Sequence, residues 1–199
     1  MEFFPCLQIG LWNAWILMVI FPLQPLIMSG IEKAAGTGPI LKRMGEHPSN
    51  PRERYLNLVY TVTEGLLILY SIFLPLRIGT FWFFTGMGLY LIGLILLLWV
   101  GFSVAKTPEG QPFTTGVYRI SRHPGYLSQG IIFLGVSVAS ASWVFLIFTV
   151  ILWVISAFFA SGEEKACLEK YGEVYSQFLK RTPRWPGIPK GARIFQKAD

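Results

Sequence analysis

From Leu127 to Ala160 the chain carries no Asp, Glu, Lys or Arg. That stretch is long enough to cross a bilayer and come back, given about 20 apolar residues per crossing and a core of about 30 Å. A polar cluster stands at each end of it, Arg122-His123-Pro124-Gly125-Tyr126 before and Gly162-Glu163-Glu164 after. Two antiparallel membrane helices therefore bring an Arg-His-Tyr group and a Glu-Glu pair to the same membrane face. Such a place suits a ligand that has both positive and negative groups.

The rest of the chain reads the same way. It is 53% hydrophobic and 14% charged, with a mean hydropathy of +0.50. Long uncharged runs in such a composition mean an integral membrane protein, not a soluble one with a large core. The expected fold is all-α and polytopic, a single membrane domain over residues 1–199 with about five transmembrane helices. They run over Leu7–Ser29, Tyr55–Leu76, Thr80–Val104, Tyr126–Val138 and Trp143–Gly162. Pro22 and Pro25 fall late in the first and are expected to kink or unwind that end. The fourth is short for a perpendicular crossing. Gly79, Gly86, Gly88 and Gly93 in the third read as close-packing positions between helices. From Glu163 to Leu179 a further helix follows, with Leu168, Tyr171, Val174, Tyr175 and Phe178 on one face. It would lie along the membrane or cover the site, and Pro183, Pro186 and Pro189 stop it.

Charge gives the orientation. Sixteen of the 17 Lys and Arg residues fall in the segment between spans one and two, in that between three and four, or in the tail; only Arg77 lies on the other side. Basic residues collect on the cytoplasmic side. The polar clusters and the C-terminal tail are therefore expected in the cytoplasm, and the N-terminus outside. The net charge of +6 has this topological origin. No basic stripe with interleaved aromatics points to nucleic acid. Cys6 and Cys167 are expected on opposite membrane sides and imply neither a disulfide framework nor a cysteine metal site. The N-terminus lacks a basic region and an obvious cleavage site, so it reads as a retained span.

Three groups carry candidate chemistry. Pro124 suits the first helical turn, where a missing N–H costs nothing. Arg122 and His123 then stand just outside span four. The free N–H groups and positive dipole end of that helix suit a carboxylate or other anion, with Arg122 adding a fork of donors. An Arg anchor, a capping residue and an interfacial Tyr are also ordinary at a membrane border. Glu163 and Glu164 diverge by on the order of 100° on a helix. One is free for a cationic ligand group while the other pairs with Arg119, Arg122 or Arg184. Two acids opening a helix are the plainer alternative. Glu64 lies about a third of the way into span two. An ionisable residue there is costly and usually faces a cavity or a partner, and Gln129 is a plausible neighbour. No ligand spacing suggests a metal.

Taken in order, Thr114 to Tyr126, the apolar hairpin, Glu163-Glu164, Lys170-Tyr171-Gly172 and Arg181-Thr182-Pro183-Arg184-Trp185 resemble the isoprenylcysteine carboxyl methyltransferase family and its relatives, the phospholipid methyltransferases. The resemblance covers roughly residues 105 to 190 and implies S-adenosylmethionine as methyl donor, held at the cytosolic end of the last two spans under the tail. It divides the chain into three leading spans, 1–104, and a cofactor-binding region, 105–199. It implies cofactor contacts from Gly116, Val117, Tyr118, Arg122, His123, Pro124, Tyr126, Glu163 and Glu164, and a catalytic place for Arg184. Methyl transfer from a sulfonium needs mainly alignment. An acceptor that must lose a proton would use Glu64 or one of the Glu pair as base. The acceptor is expected to be lipophilic, entering sideways from the lipid, and its identity is left open.

Two alternatives follow from the same residues. Membrane sterol reductases have a similar Arg-His-Pro-x-Tyr and Lys-Tyr-Gly and bind NADPH. The Glu pair directly after the last span and the short chain favour the methyltransferase. A small transporter would use Glu64 and a kinked first span as a path, but no paired broken helices or internal repeat supports it.

Overall fold

Backbone in lipid has no water to bond, so a chain this apolar must close its hydrogen bonds within helices. The computed structural model describes residues 2, 6–44 and 51–186, and among them every regular element is helical. The helices are α1 (Trp15–Met18), α2 (Ile20–Ala35), α3 (Ile40–Met44), α4 (Pro51–Phe73), α5 (Phe81–Ala105), α6 (Pro124–Ala139), α7 (Trp143–Tyr171) and α8 (Glu173–Arg181), with a 3-10 turn at Gly116–Arg119. Four stretches are long and apolar enough to cross a membrane: Trp15–Ala35, Arg54–Phe73, Phe81–Ala105 and Trp143–Tyr171. Their outward faces carry exposed Leu26, Leu58, Leu66, Ile95 and Val154, as lipid contact requires.

The expected fourth span is α6, and its 16 residues reach about 24 Å. Ten of those residues are buried, because α6 is packed between α5 and α7. Its length answers to its protein neighbours more than to the lipid. The α5–α6 contact is nearly backbone to backbone. A Cβ at Gly86 would stand 2.2 Å from the Ala139 nitrogen, one at Gly135 2.6 Å from the Tyr90 nitrogen, and one at Gly93 2.6 Å from Ile132 Cγ1. Gly86 and Gly93 are thus packing glycines, as expected, but Gly88 meets nothing within 4 Å and Gly79 lies in the turn before the helix. Across the other face Ser137 and Thr149 share a buried hydrogen bond of 3.1 Å between α6 and α7.

Several sequence expectations are corrected. The first span starts at Trp15 rather than Leu7 and continues to Ala35. Its break lies at Val19, between α1 and α2, while Pro25 sits inside an unbroken α2. Pro22 explains the position: it offers no N–H to the Met18 carbonyl one turn earlier and crowds it. The Tyr90 hydroxyl donates to the Leu17 carbonyl beside this break at 2.7 Å. The second helix is shifted to Pro51–Phe73. The last span does not end at Gly162: α7 runs on to Tyr171, so Glu163 and Glu164 lie inside it. The tail is consequently not one helix from Glu163, since Gly172 (φ 53°) breaks it and α8 begins at Glu173. Pro189 and the tail bases Lys190, Arg193 and Lys197 lie outside the described residues.

At one end of the bundle Glu2, the 73–80 connection and the 139–142 turn are stitched together. The Arg77 amide donates to the Ala139 carbonyl at 3.0 Å, the Glu2 amide to the Ala141 carbonyl at 2.7 Å, and Arg77 pairs with Glu2. At the other end α4 packs on α7, with Arg52 over the Phe158 ring and Tyr60 against Phe159, while α2 leans on α5 and α3.

Replacing Gly86 or Gly135 by Leu is expected to destabilise the protein by on the order of 1–3 kcal/mol or more, through overpacking. Gly88→Leu, pointing into open space, should change stability by less than about 0.5 kcal/mol. Thermal melts in detergent distinguish the two classes.

Candidate active site

The site is built where α6 begins and α7 leaves the apolar region. His123 is the N-cap of α6 with Pro124 in the first turn, and its ring is buried. The consecutive Glu163 and Glu164 point apart, and the imidazole sits between them. Its Nδ1 lies 3.2 Å from Glu163 Oε2 and its Nε2 3.1 Å from Glu164 Oε1. Ionised carboxylates only accept, and an imidazole donates from both nitrogens only when protonated. Burial opposes the charge on His123, but hydrogen bonds to Glu163 and Glu164 and their charges outweigh it, holding its pKa above the ordinary histidine value.

The two acids then take different surroundings. Glu164 is buried and receives Arg184 through Nε at 3.0 Å and through a second guanidinium nitrogen, with Arg122 at an ion-pair distance of 3.3 Å. Glu163 keeps a quarter of its side chain accessible and accepts from the Tyr126 hydroxyl. Tyr126 lies one turn beyond Arg122 in the same helix start, its ring stacked near His123 with centroids 6.0 Å apart. Of the two roles expected for the Glu pair, pairing with arginine falls to Glu164, and Glu163 lines a cavity.

Residues that the sequence did not single out hold this arrangement. Ser121, fully buried, donates to the Arg184 carbonyl at 2.8 Å and accepts from the His123 amide at 3.2 Å. The Arg122 amide donates to the Pro183 carbonyl at 3.0 Å. These bonds return the chain after α8 to the start of α6 and deliver Arg184 to Glu164. Ser161 accepts from Arg184 at 3.2 Å. On α5, Ser103 accepts from the Val117 amide at 3.2 Å and anchors the 3-10 turn. Gly116 there has φ 61°, and a Cβ on it would meet Ser103 Oγ at 2.3 Å. Serines are too common in membrane helices to signal such a role in advance.

A cavity of about 950 Å³ opens beside the cluster. Tyr118, Arg122, His123, Pro124, Tyr126 and Glu163 face it. Gly116, Val117, Glu164 and Arg184 stand behind this wall, and Glu64 is not part of it. Glu64 is one turn along α4 from Tyr60, whose hydroxyl donates to Gln129 Oε1 at 3.2 Å. The expected neighbour of Glu64 is thus engaged by Tyr60. The roof of the cavity is α3 with the 109–113 segment. Arg43 fastens it, donating to the Val104, Thr107 and Pro108 carbonyls at 3.1, 2.6 and 3.3 Å and lying over the Phe113 ring. These carbonyls lie around the end of α5, where a cation is favoured. Among the described residues no group of His, Cys, Asp and Glu is suited to hold a metal.

A bundle of apolar helices with a charged cavity at one end defines a polytopic membrane protein. Residues 81–174 match the family model for phospholipid methyltransferase. The chain is similar to this family over that segment, which runs from the first residue of α5 into α8 and includes His123, Tyr126 and the Glu pair. It is a membrane methyltransferase that uses S-adenosylmethionine. No curated protein matches the chain significantly. The reductase and transporter alternatives find no support. Glu64 and Arg184 lie outside the matched segment.

The folded-state pKa of His123 is raised. Its stabilising contribution is therefore complete below the ordinary value near 6.5 and is lost as pH rises through the raised value. With His47 replaced, NMR of labelled histidine should show the remaining ring titrating above the free value. The thermal stability difference between that protein and its His123→Asn derivative should shrink as the pH is raised through the same point.

Proposed function

We propose that the cavity at the α6–α7 corner binds the methyl donor from the cytosolic side and that a lipophilic acceptor reaches it from the bilayer. The observation that carries this reading is the division of labour in the Glu pair: Glu164 is consumed by arginines, while Glu163 faces the cavity. The residues present fit a ligand bearing both charges. Glu163 and the Tyr126 hydroxyl suit an ammonium group. Arg122 lines the cavity, and its guanidinium offers donors for a carboxylate. Pro124 and Gly125 bring the start of α6 to the same wall, and its dipole adds to the anion's side. Tyr118, Phe113 and Tyr126 offer ring faces for the cationic and aromatic parts of a ligand.

S-adenosylmethionine, when bound, supplies a methyl group on an already activated sulfonium. The chain's own task is then to align two molecules of opposite solubility. His123 holds Glu163 in place. Arg184 and Arg122 fix Glu164, and through it the imidazole. Arg43 keeps the roof over the cavity. On this reading Arg184 acts by positioning. Glu64 is retained as the candidate base for an acceptor that loses a proton, acting from α4 one turn from Tyr60. The basic end of the bundle is cytoplasmic, as the distribution of Lys and Arg favours.

Glu163→Gln is expected to raise the donor Kd at least about tenfold, as loss of a charge-assisted bond implies, measured by calorimetry with S-adenosylmethionine in detergent. Unchanged affinity would reject the donor site. In a Cys167→Ser protein, an impermeant maleimide applied to intact cells should label the exposed Cys6. Labelling only after the cells are opened would reverse the orientation.

A further inference from the structure

The same cavity extends well below the charged cluster. Its deeper wall is formed by Met28, Leu97 and Val100, together with two glutamines, Gln24 on α2 and Gln129 on α6. Gln24 lies eleven residues before Ala35 at the end of α2, about 16 Å along the axis. This part of the cavity is therefore at hydrocarbon depth. An amide there is expensive unless it is bonded. Gln24 makes no side-chain hydrogen bond among the described residues, and its face of α2 is turned to the cavity together with Met28 one turn on. Gln129 is half satisfied: the Tyr60 hydroxyl donates to its Oε1 at 3.2 Å. That bond leaves the Gln129 N–H pair as the group presented to the cavity.

We infer that Gln24 and Gln129 form a hydrogen-bonding pocket for an uncharged, oxygen-bearing polar group of an amphiphile whose apolar chain lies against Met28, Leu97 and Val100. The class follows from the lining. Amides can pair with a hydroxyl, ether or carbonyl oxygen, whereas an ion at this depth needs a counter-charge, and the five residues of the deeper wall carry none. The charged side chains of the cavity belong to its mouth, on α3, the 109–113 segment, the start of α6 and the end of α7. Few polar groups in a mostly apolar pocket are what orients a ligand. Tyr60 is a positioning residue here, because its bond to Gln129 sets which end of that amide faces inward. The proposal rests on the methyltransferase reading only for identifying the occupant as the methyl acceptor.

The test uses the full chain in nanodiscs and three photoreactive C18 probes that carry the same chain diazirine and differ in the head: an alcohol, a carboxylate and an amine. Crosslinked peptides are located by mass spectrometry, and S-adenosylmethionine binding is measured on the same samples by calorimetry. The alcohol should label residues 20–35 and 124–139 at least fivefold more than either charged probe. Gln24→Leu and Gln129→Leu should each reduce that labelling at least fivefold with donor Kd unchanged, and Tyr60→Phe should reduce it by a smaller factor. Gln129→Met serves if Gln129→Leu does not fold. Equal or stronger labelling by a charged probe, or labelling by the alcohol that ignores both glutamine changes, would overturn the pocket. Glutamine-dependent labelling by the alcohol in a protein that binds no donor would support the pocket and reject the donor site.

Discussion

The imidazole of His123, held between two carboxylates at about the same distance, joins the three parts of the chain on which the site depends. It caps the start of α6, it faces the last turns of α7, and through Glu164 it reaches Arg184 from the returning tail. Two ionised carboxylates only accept, and a ring serves both at once only when it is protonated. In the low dielectric at the edge of the bilayer such a network is strong when complete and costly when a member is missing. The cavity wall therefore has a fixed shape, and Glu163 is presented to the cavity at a set position.

The cavity itself joins two solvents. Its mouth is lined by ionic groups under a roof that Arg43 ties to the end of α5. Its depth is apolar, with glutamine amides as the polar groups. A methyl donor with several charges and an acceptor that lives in lipid need these two environments in contact.

Much of this was legible beforehand. The uncharged run from Leu127 to Ala160 demanded a fold-back, and the fold-back put His123 beside the Glu pair. Pro124 marked the start of α6 correctly. Other features were not legible, for physical reasons. Gly86 and Gly88 look alike in sequence, but only the face turned to α6 makes a glycine necessary. Pro22 suggested a kink, yet a proline disturbs the turn before it, so the break fell at Val19. Glu163 and Glu164 were read as lying beyond the span, because acidic residues look like a boundary, whereas α7 simply continues out of the lipid. Ser103, Ser121 and Ser161 gave no signal, since a hydroxyl acquires its role from a partner far away in sequence.

What the sequence determined by itself was the apolar helices of the bundle and which polar clusters share an end. Both follow from local constraints: backbone bonding in lipid, the length of a crossing and the cost of charge within it. What only the tertiary structure decided was the assignment of partners. The divergence of consecutive helical residues requires that the two acids separate, but not which of them faces the cavity. That depended on where the tail after α8 returns, and bonds from Ser121 and Arg122 to Arg184 and Pro183 bring it back to the start of α6, so that Arg184 falls to Glu164 and Glu163 faces the cavity.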